Sequence, residues 1–121
     1  MYEDDEDRID AAEQLAEHNP RAAAEALSAI ACDQEVGDEV RLSAAELLAD
    51  VDPRAAAPGC LAIARDQEVG DEVRLSAAEL LARVDPRAAA PGCLAIACDQ
   101  EVGDEVRLSA AELLAALGPG A

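Results

Sequence analysis

Four polar side chains, Glu39, Ser43, Glu46 and Asp50, are spaced four, three and four apart. That spacing puts them on one side of an α-helix. The set returns 33 residues later as Glu72, Ser76, Glu79 and Arg83, and again as Glu105, Ser109, Glu112 and Ala116. A more acidic version, Glu6, Asp10, Glu13 and Glu17, precedes them. A carboxylate pair such as Glu39 and Glu46 could move protons, yet an open alanine-rich surface offers little desolvation to shift a carboxylate pKa. Asp33, Glu35, Asp38 and Glu39 could attract a divalent cation, but their glycine falls one place early for a calcium loop and the closing glutamate is missing. Recognition remains: the carboxylates form either a solvated face or a grid for a basic protein segment.

Nucleophilic chemistry has little to work with. His18 is the single histidine, and Ser43 and its copies have no histidine or lysine near them in sequence, so a hydrolytic triad is not available. Of the four cysteines, Cys60 and Cys93 share one repeat position and Cys32 and Cys98 another. Equivalent positions on stacked helices stand roughly 9–10 Å apart, beyond the about 7 Å that a disulfide spans. All four read as reduced thiols used as small apolar side chains. No histidine clusters with them, which argues against a zinc site. The expectation is a chain that is not an enzyme and uses no cofactor or metal.

The net charge of −18 sets the choice of partners. It repels nucleic-acid phosphates and anionic lipid and favours a basic protein surface. All nine basic residues are arginine. No apolar run approaches a membrane span. The opening MYEDDED is the opposite of a basic leader segment, so the expected location is cytoplasmic. Apolar residues make up 51% of the chain, but there is no Phe or Trp and only one Tyr. Alanine supplies about a quarter of the residues. A core must therefore come from many small contacts between closely packed helices.

The elements that would position the carboxylates follow from a repeat. Seventeen residues, Asp33–Ala49, recur unchanged at Asp66–Ala82 and Asp99–Ala115, a period that marks a repeat array. The expected organisation is a capping half-repeat over 1–19, with its helix over 5–19, repeats at 20–52, 53–85 and 86–118, and a tail at 119–121. The second and third repeats differ at four positions, which fits either recent duplication or deliberate consensus building. Each repeat reads as two helices, A and B. Asp52 and Asp85 can cap a helix A that opens on Pro53 or Pro86. Pro58 and Pro91 lie inside helix A and predict a kink. Gly70 breaks the turn, and Asp71-Glu72 open helix B with charges that suit a helix N-terminus. Val40, Ala44, Leu47, Leu48 and Val51 form an apolar stripe, widened by Leu42, Ala45 and Ala49. A helix apolar on two sides is packed on two sides.

The two ends differ. Overlaid on helix B, residues 2–19 turn Val40 into Asp7, Leu47 into Gln14 and Val51 into His18. These three share one side, so that side of helix B faces the preceding repeat and the first helix is a polar cap. Ser28, where later repeats have Leu61 and Leu94, suggests that this position of helix A also faces backward. The last helix keeps Leu108, Ala111, Leu114 and Ala115. This apolar end implies that the protein continues or that another copy docks there, making a homo-oligomer.

The tract Asp38–Ala49 and its copies, with the pairs Val40-Arg41, Val73-Arg74 and Val106-Arg107, resembles the second helix of HEAT-like repeats. The bacterial variety related to phycobilisome lyases is most similar. Asp52–Ala55 and Asp85–Ala88 resemble its helix A opening, and Pro58 and Pro91 its helix A proline. The likeness runs from Arg8 to Leu117. It implies an all-α fold, a right-handed α-solenoid of stacked antiparallel helix pairs, with helix B lining the concave side. It implies an Asp–Arg ladder through Arg41, Arg74 and Arg107, with Asp38 or Glu35 and their equivalents as acceptors. Relatives that are di-iron hydroxylases use paired His-Glu motifs absent here, and those that bind DNA have basic grooves. The reading is a protein-interaction scaffold whose partner surface is Glu39, Glu46, Asp50, Glu72, Glu79, Arg83, Glu105 and Glu112. The alternatives are self-assembly through the C-terminal end, or repeats with no activity of their own.

Overall fold

A computed structural model describes residues 5–117. Among them every regular element is a helix: α1 (Asp5–Ala16), α2 (Pro20–Cys32), α3 (Asp38–Val51), α4 (Pro53–Arg65), α5 (Asp71–Val84), α6 (Pro86–Ala97) and α7 (Asp104–Leu117). Each helix packs on the next in sequence and on the one after that. The result is two rows, with α2, α4 and α6 in one and α1, α3, α5 and α7 in the other.

Local chemistry sets the helix ends. Pro20, Pro53 and Pro86 occupy the first helical position, where a missing N–H costs nothing. Asn19 Oδ1 accepts from the Ala22 N–H at 3.2 Å, and Asp85 Oδ1 from the Ala88 N–H at 3.4 Å. Asp52 makes no such side-chain cap; its carbonyl accepts the first helical bonds. α4 runs without a break through Pro58. Pro58 and Arg54, the residue whose carbonyl loses its donor, are both exposed, so water can satisfy that carbonyl. α1 stops at Ala16, short of the expected 19. The Asn19 N–H turns back to the Leu15 carbonyl at 2.7 Å because Asn19 is already needed to cap α2.

The core is built of small residues, among them Ala12, Ala31, Ala45, Ala56, Ala64, Ala78 and Ala89, around Leu27, Ile30, Leu48, Ile63, Leu81 and Ile96. Small side chains let the A helices approach closely. A Cβ at Gly59 would stand 3.0 Å from Ala31 Cβ, and one at Gly92 would stand 3.4 Å from Ala64 Cβ. Glycine at the first of these is set by contact with α2. The turn valines Val36, Val69 and Val102 are also buried and belong to the same core.

The polar side of α1 is exposed at Asp7, Gln14 and His18, though His18 lies in the turn beyond the helix. Val40 shares a groove with Ile9 of α1, and Leu80 and Val84 share one with Ala49 of α3. That side of helix B therefore faces backward. The Leu61 position does not. Leu61 Cδ1 lies 3.5 Å from where a Gly92 Cβ would stand, and Leu94, with no helix A after it among the described residues, is 52% exposed. Leu61 faces forward, so the backward reading of Ser28 is corrected. Ser28 borders a groove with Asp52 and with Ala55 of the following repeat.

Candidate functional site: an acidic helix face and its arginine ladder

Every carboxylate singled out on the B helices is exposed: Glu39, Glu46 and Asp50 on α3, Glu72 and Glu79 on α5, Glu105 and Glu112 on α7. Arg83 is exposed as well. The packing brings some of them together. Glu6 and Asp10 of α1 line an open groove with Glu39, Val40 and Ser43 of α3. Glu46 and Asp50 of α3 line another with Leu80 and Arg83 of α5. Each groove thus has an apolar floor and charged rims, and one rim of the second is basic. No ion pair joins Arg83 to these carboxylates among the described residues, leaving both available to an incoming segment.

What holds this face in register lies behind it. Arg41 and Arg74 are both 2% exposed. Arg41 Nε donates to the Ala31 carbonyl at 2.9 Å, and its Nη1 donates to Asp66 Oδ2 at 2.9 Å. Arg74 repeats this with the Ala64 carbonyl at 2.9 Å and Asp99 Oδ2 at 2.8 Å. One bond ties the arginine to helix A of its own repeat and the other to the turn of the next. Each accepting aspartate also accepts the N–H two residues on, Glu68 or Glu101, through Oδ1. The Arg41 hydrogen bond holds Asp66 below the ordinary carboxylate range, against a smaller opposing effect of burial. The Arg74 hydrogen bond, helped by the Glu101 N–H, does the same for Asp99.

These acceptors are neither Asp38 nor Glu35 nor their equivalents. Asp38 instead accepts the Gly70 N–H of the next repeat through Oδ2 at 2.8 Å, and Asp71 accepts that of Gly103 at 2.9 Å. The acceptor position opens the invariant seventeen-residue tract, and that aspartate at the end of helix A was the available signal. At the chain's start the ladder is looser: Arg8 stands 3.8 Å from Asp33, and both are about one third exposed.

The remaining reactive groups are separated. Cys60 and Cys93 are buried, and burial pushes the Cys60 thiol up to about 11 and raises that of Cys93. Cys32 and Cys98 are exposed and do not serve as buried apolar side chains. Among the described residues no group of three His, Cys, Asp or Glu side chains is placed to hold a metal ion. No helix among the described residues is long and apolar enough to cross a membrane. At the end of the array Leu108 is 62% exposed, Ala111 and Ala115 are exposed and Leu114 is half-buried. Comparison with family models, curated proteins and solved structures returns no match.

Proposed function

We propose that the chain is a non-catalytic protein-interaction scaffold whose acidic B-helix face receives a basic, partly apolar segment of a partner protein. The observation that carries this reading is the groove between α1 and α3, where Glu6, Asp10 and Glu39 surround Ile9 and Val40. An arginine-rich helical segment could lay its apolar side on that floor and its guanidinium groups on the rims. The second groove extends the same surface along Glu46, Asp50 and Arg83, and the order of the helices carries it on to Glu72, Glu79, Glu105 and Glu112. The HEAT-like resemblance supports a right-handed solenoid with this row on its concave side. The buried arginine ladder keeps the rungs at fixed spacing, which reduces the ordering cost of binding. The charge of −18 speeds the approach of a basic partner and rejects nucleic acid.

Calorimetric titration of an arginine-rich amphipathic peptide into the full chain, at low and at physiological ionic strength, tests the reading. Affinity should fall as salt rises and fall again in an E39Q/E46Q/E72Q/E79Q variant of unchanged helicity. Binding insensitive to both, or no binding at low salt, would sink it.

A further inference from the structure

One position on the exposed side of the B helices is not copied. The seventeen-residue tract recurs unchanged up to Ala49, Ala82 and Ala115, and the residue directly after it reads Asp50, Arg83 and Ala116. Arg83 is exposed and lines a groove with Glu46 and Asp50. No ion pair joins it to either carboxylate among the described residues. Neutralising its neighbours is therefore not what this arginine does. Its charge suits the C-terminal end of α5. Yet Asp50 holds the same place at the end of α3, where a carboxylate is disfavoured, so the helix dipole does not choose the residue here.

The two grooves lie on opposite sides of α3 and towards opposite ends of it. Glu39, Val40 and Ser43 line the first against α1, and Glu46, Ala49 and Asp50 line the second against α5. The walls of the first carry residues 33 apart, Glu6 with Glu39 and Asp10 with Ser43, so neighbouring B helices run parallel. Glu46 follows Glu39 by seven residues, which offsets the grooves by about 10 Å along α3. Across α3 they are offset by one helix spacing, roughly 9–10 Å. The line joining them is about 14 Å long, a length that a helical segment covers in about nine residues. Along that line the charge is negative at Glu6, Asp10 and Glu39, negative again at Glu46 and Asp50, and changes sign once, at Arg83.

We propose that Arg83 is the specificity-determining residue of this face and that the partner's segment is mixed in charge. The inference rests on the reading that the acidic B-helix face receives a basic helical segment, and it adds what that segment must look like. It carries arginines where it crosses the α1–α3 groove, and about nine residues further on a carboxylate that meets Arg83. Its apolar side lies on Ile9 and Val40 at one end and on Ala49, Leu80 and Val84 at the other. A segment with this order of charges fits in one orientation only. Turned end for end, it sets an arginine against Arg83 and a carboxylate among Glu6, Asp10 and Glu39. Like charges so placed cost more than an exposed opposite pair gains, so the choice is made mainly by rejection.

Two amphipathic helical peptides that differ at a single residue test this. Each carries an arginine pair and, about nine residues on, either glutamate or arginine. Both are titrated calorimetrically into the full chain, at low and at physiological ionic strength. General attraction to a chain of charge −18 favours the more basic peptide. The wild type should nonetheless bind the glutamate peptide about 3- to 10-fold more tightly. Arg83→Glu should reverse that order, and Arg83→Gln should leave only the general preference for the more basic peptide. Any effect of Arg83 on the end of α5 is common to both peptides and cancels in their ratio. Two outcomes overturn the role of Arg83 while leaving the acidic face in place: salt-dependent binding of both peptides in which the wild type prefers the more basic one, or a ratio that Arg83→Glu does not change. If neither peptide binds at low ionic strength, the acidic-face reading itself fails, and the role of Arg83 fails with it.

Discussion

Replacing Arg41 by alanine should be among the most destabilising changes this chain can suffer. Its side chain is 2% exposed, and it bonds the Ala31 carbonyl and Asp66, each at 2.9 Å. Leaving the Ala31 carbonyl without a donor costs about 1–3 kcal/mol. Removing the buried methylenes costs about 0.8 kcal/mol each, or roughly 2 kcal/mol before any cavity relaxes. The ion pair with Asp66 adds little to this, because that carboxylate lies near the surface and water replaces its partner. The sum, about 3–5 kcal/mol, matches the range for breaking a buried pair from one side. At about 3–6 °C per kcal/mol for a chain of this size, the melting temperature should fall by on the order of 10–30 °C. Thermal and urea unfolding followed by circular dichroism measure this. Arg41→Met keeps most of the stem and should lose about half as much. Arg74→Ala should rank with Arg41→Ala, whereas Arg107→Ala, at a half-buried position with no carboxylate partner among the described residues, should cost about 1 kcal/mol. Equal losses at all three arginines would refute the claim that burial of the stem and of the carbonyl it serves is what makes the inner two important.

Acid should weaken the ladder specifically. Asp66 and Asp99 are held below their ordinary value of 3.8 in the folded chain, so their contribution is full above that value and is lost as pH falls through the lower folded value. Protonation also relieves the self-repulsion of an acidic chain, which acts in the opposite direction. Asp66→Asn isolates the ladder's part: the variant should be less stable than the wild type at neutral pH, and the difference should shrink below about pH 4. Gly59→Ala and Gly92→Ala should differ in sign. The first forces two Cβ atoms to 3.0 Å and should destabilise by about 1–3 kcal/mol. The second meets its nearest atom at 3.4 Å and should be neutral or gain up to about 1 kcal/mol from helix propensity, with chemical denaturation as the measurement for both. A thiol reagent at neutral pH should modify Cys32 and Cys98 quickly in the native chain and reach Cys60 and Cys93 only in denaturant; rapid modification of all four would show that the A helices open.

Much of the architecture was written in one dimension. The recurrence of Asp33–Ala49 is a property of the sequence, the Asp-Pro and Gly-Asp-Glu junctions placed the helix starts, and the replacement of Val40 and Leu47 by Asp7 and Gln14 showed which side of α1 meets water. Each of these signals is local. Helical periodicity orders side chains around one axis, and caps and prolines act within a turn of where they stand. The exposed carboxylates of the B helices were legible for the same reason, being the side left over once the apolar stripes were assigned.

Contacts between helices obeyed no such local rule. The partner of Arg41 is Asp66 rather than the nearer Asp38 or Glu35, because the arginine runs past its own turn to reach the next repeat. Leu61 faces forward, although its replacement by Ser28 in the first repeat suggested the reverse, and Cys32 is exposed, although its repeat position suggested a small buried side chain. Periodicity says that a side is apolar; only the angle and spacing of the neighbouring helices decide which helix covers it. The sequence by itself determined the helices, where each begins and which faces stay polar. The tertiary packing alone decided which turn closes each arginine bridge, because that depends on distances between repeats that no spacing along the chain encodes.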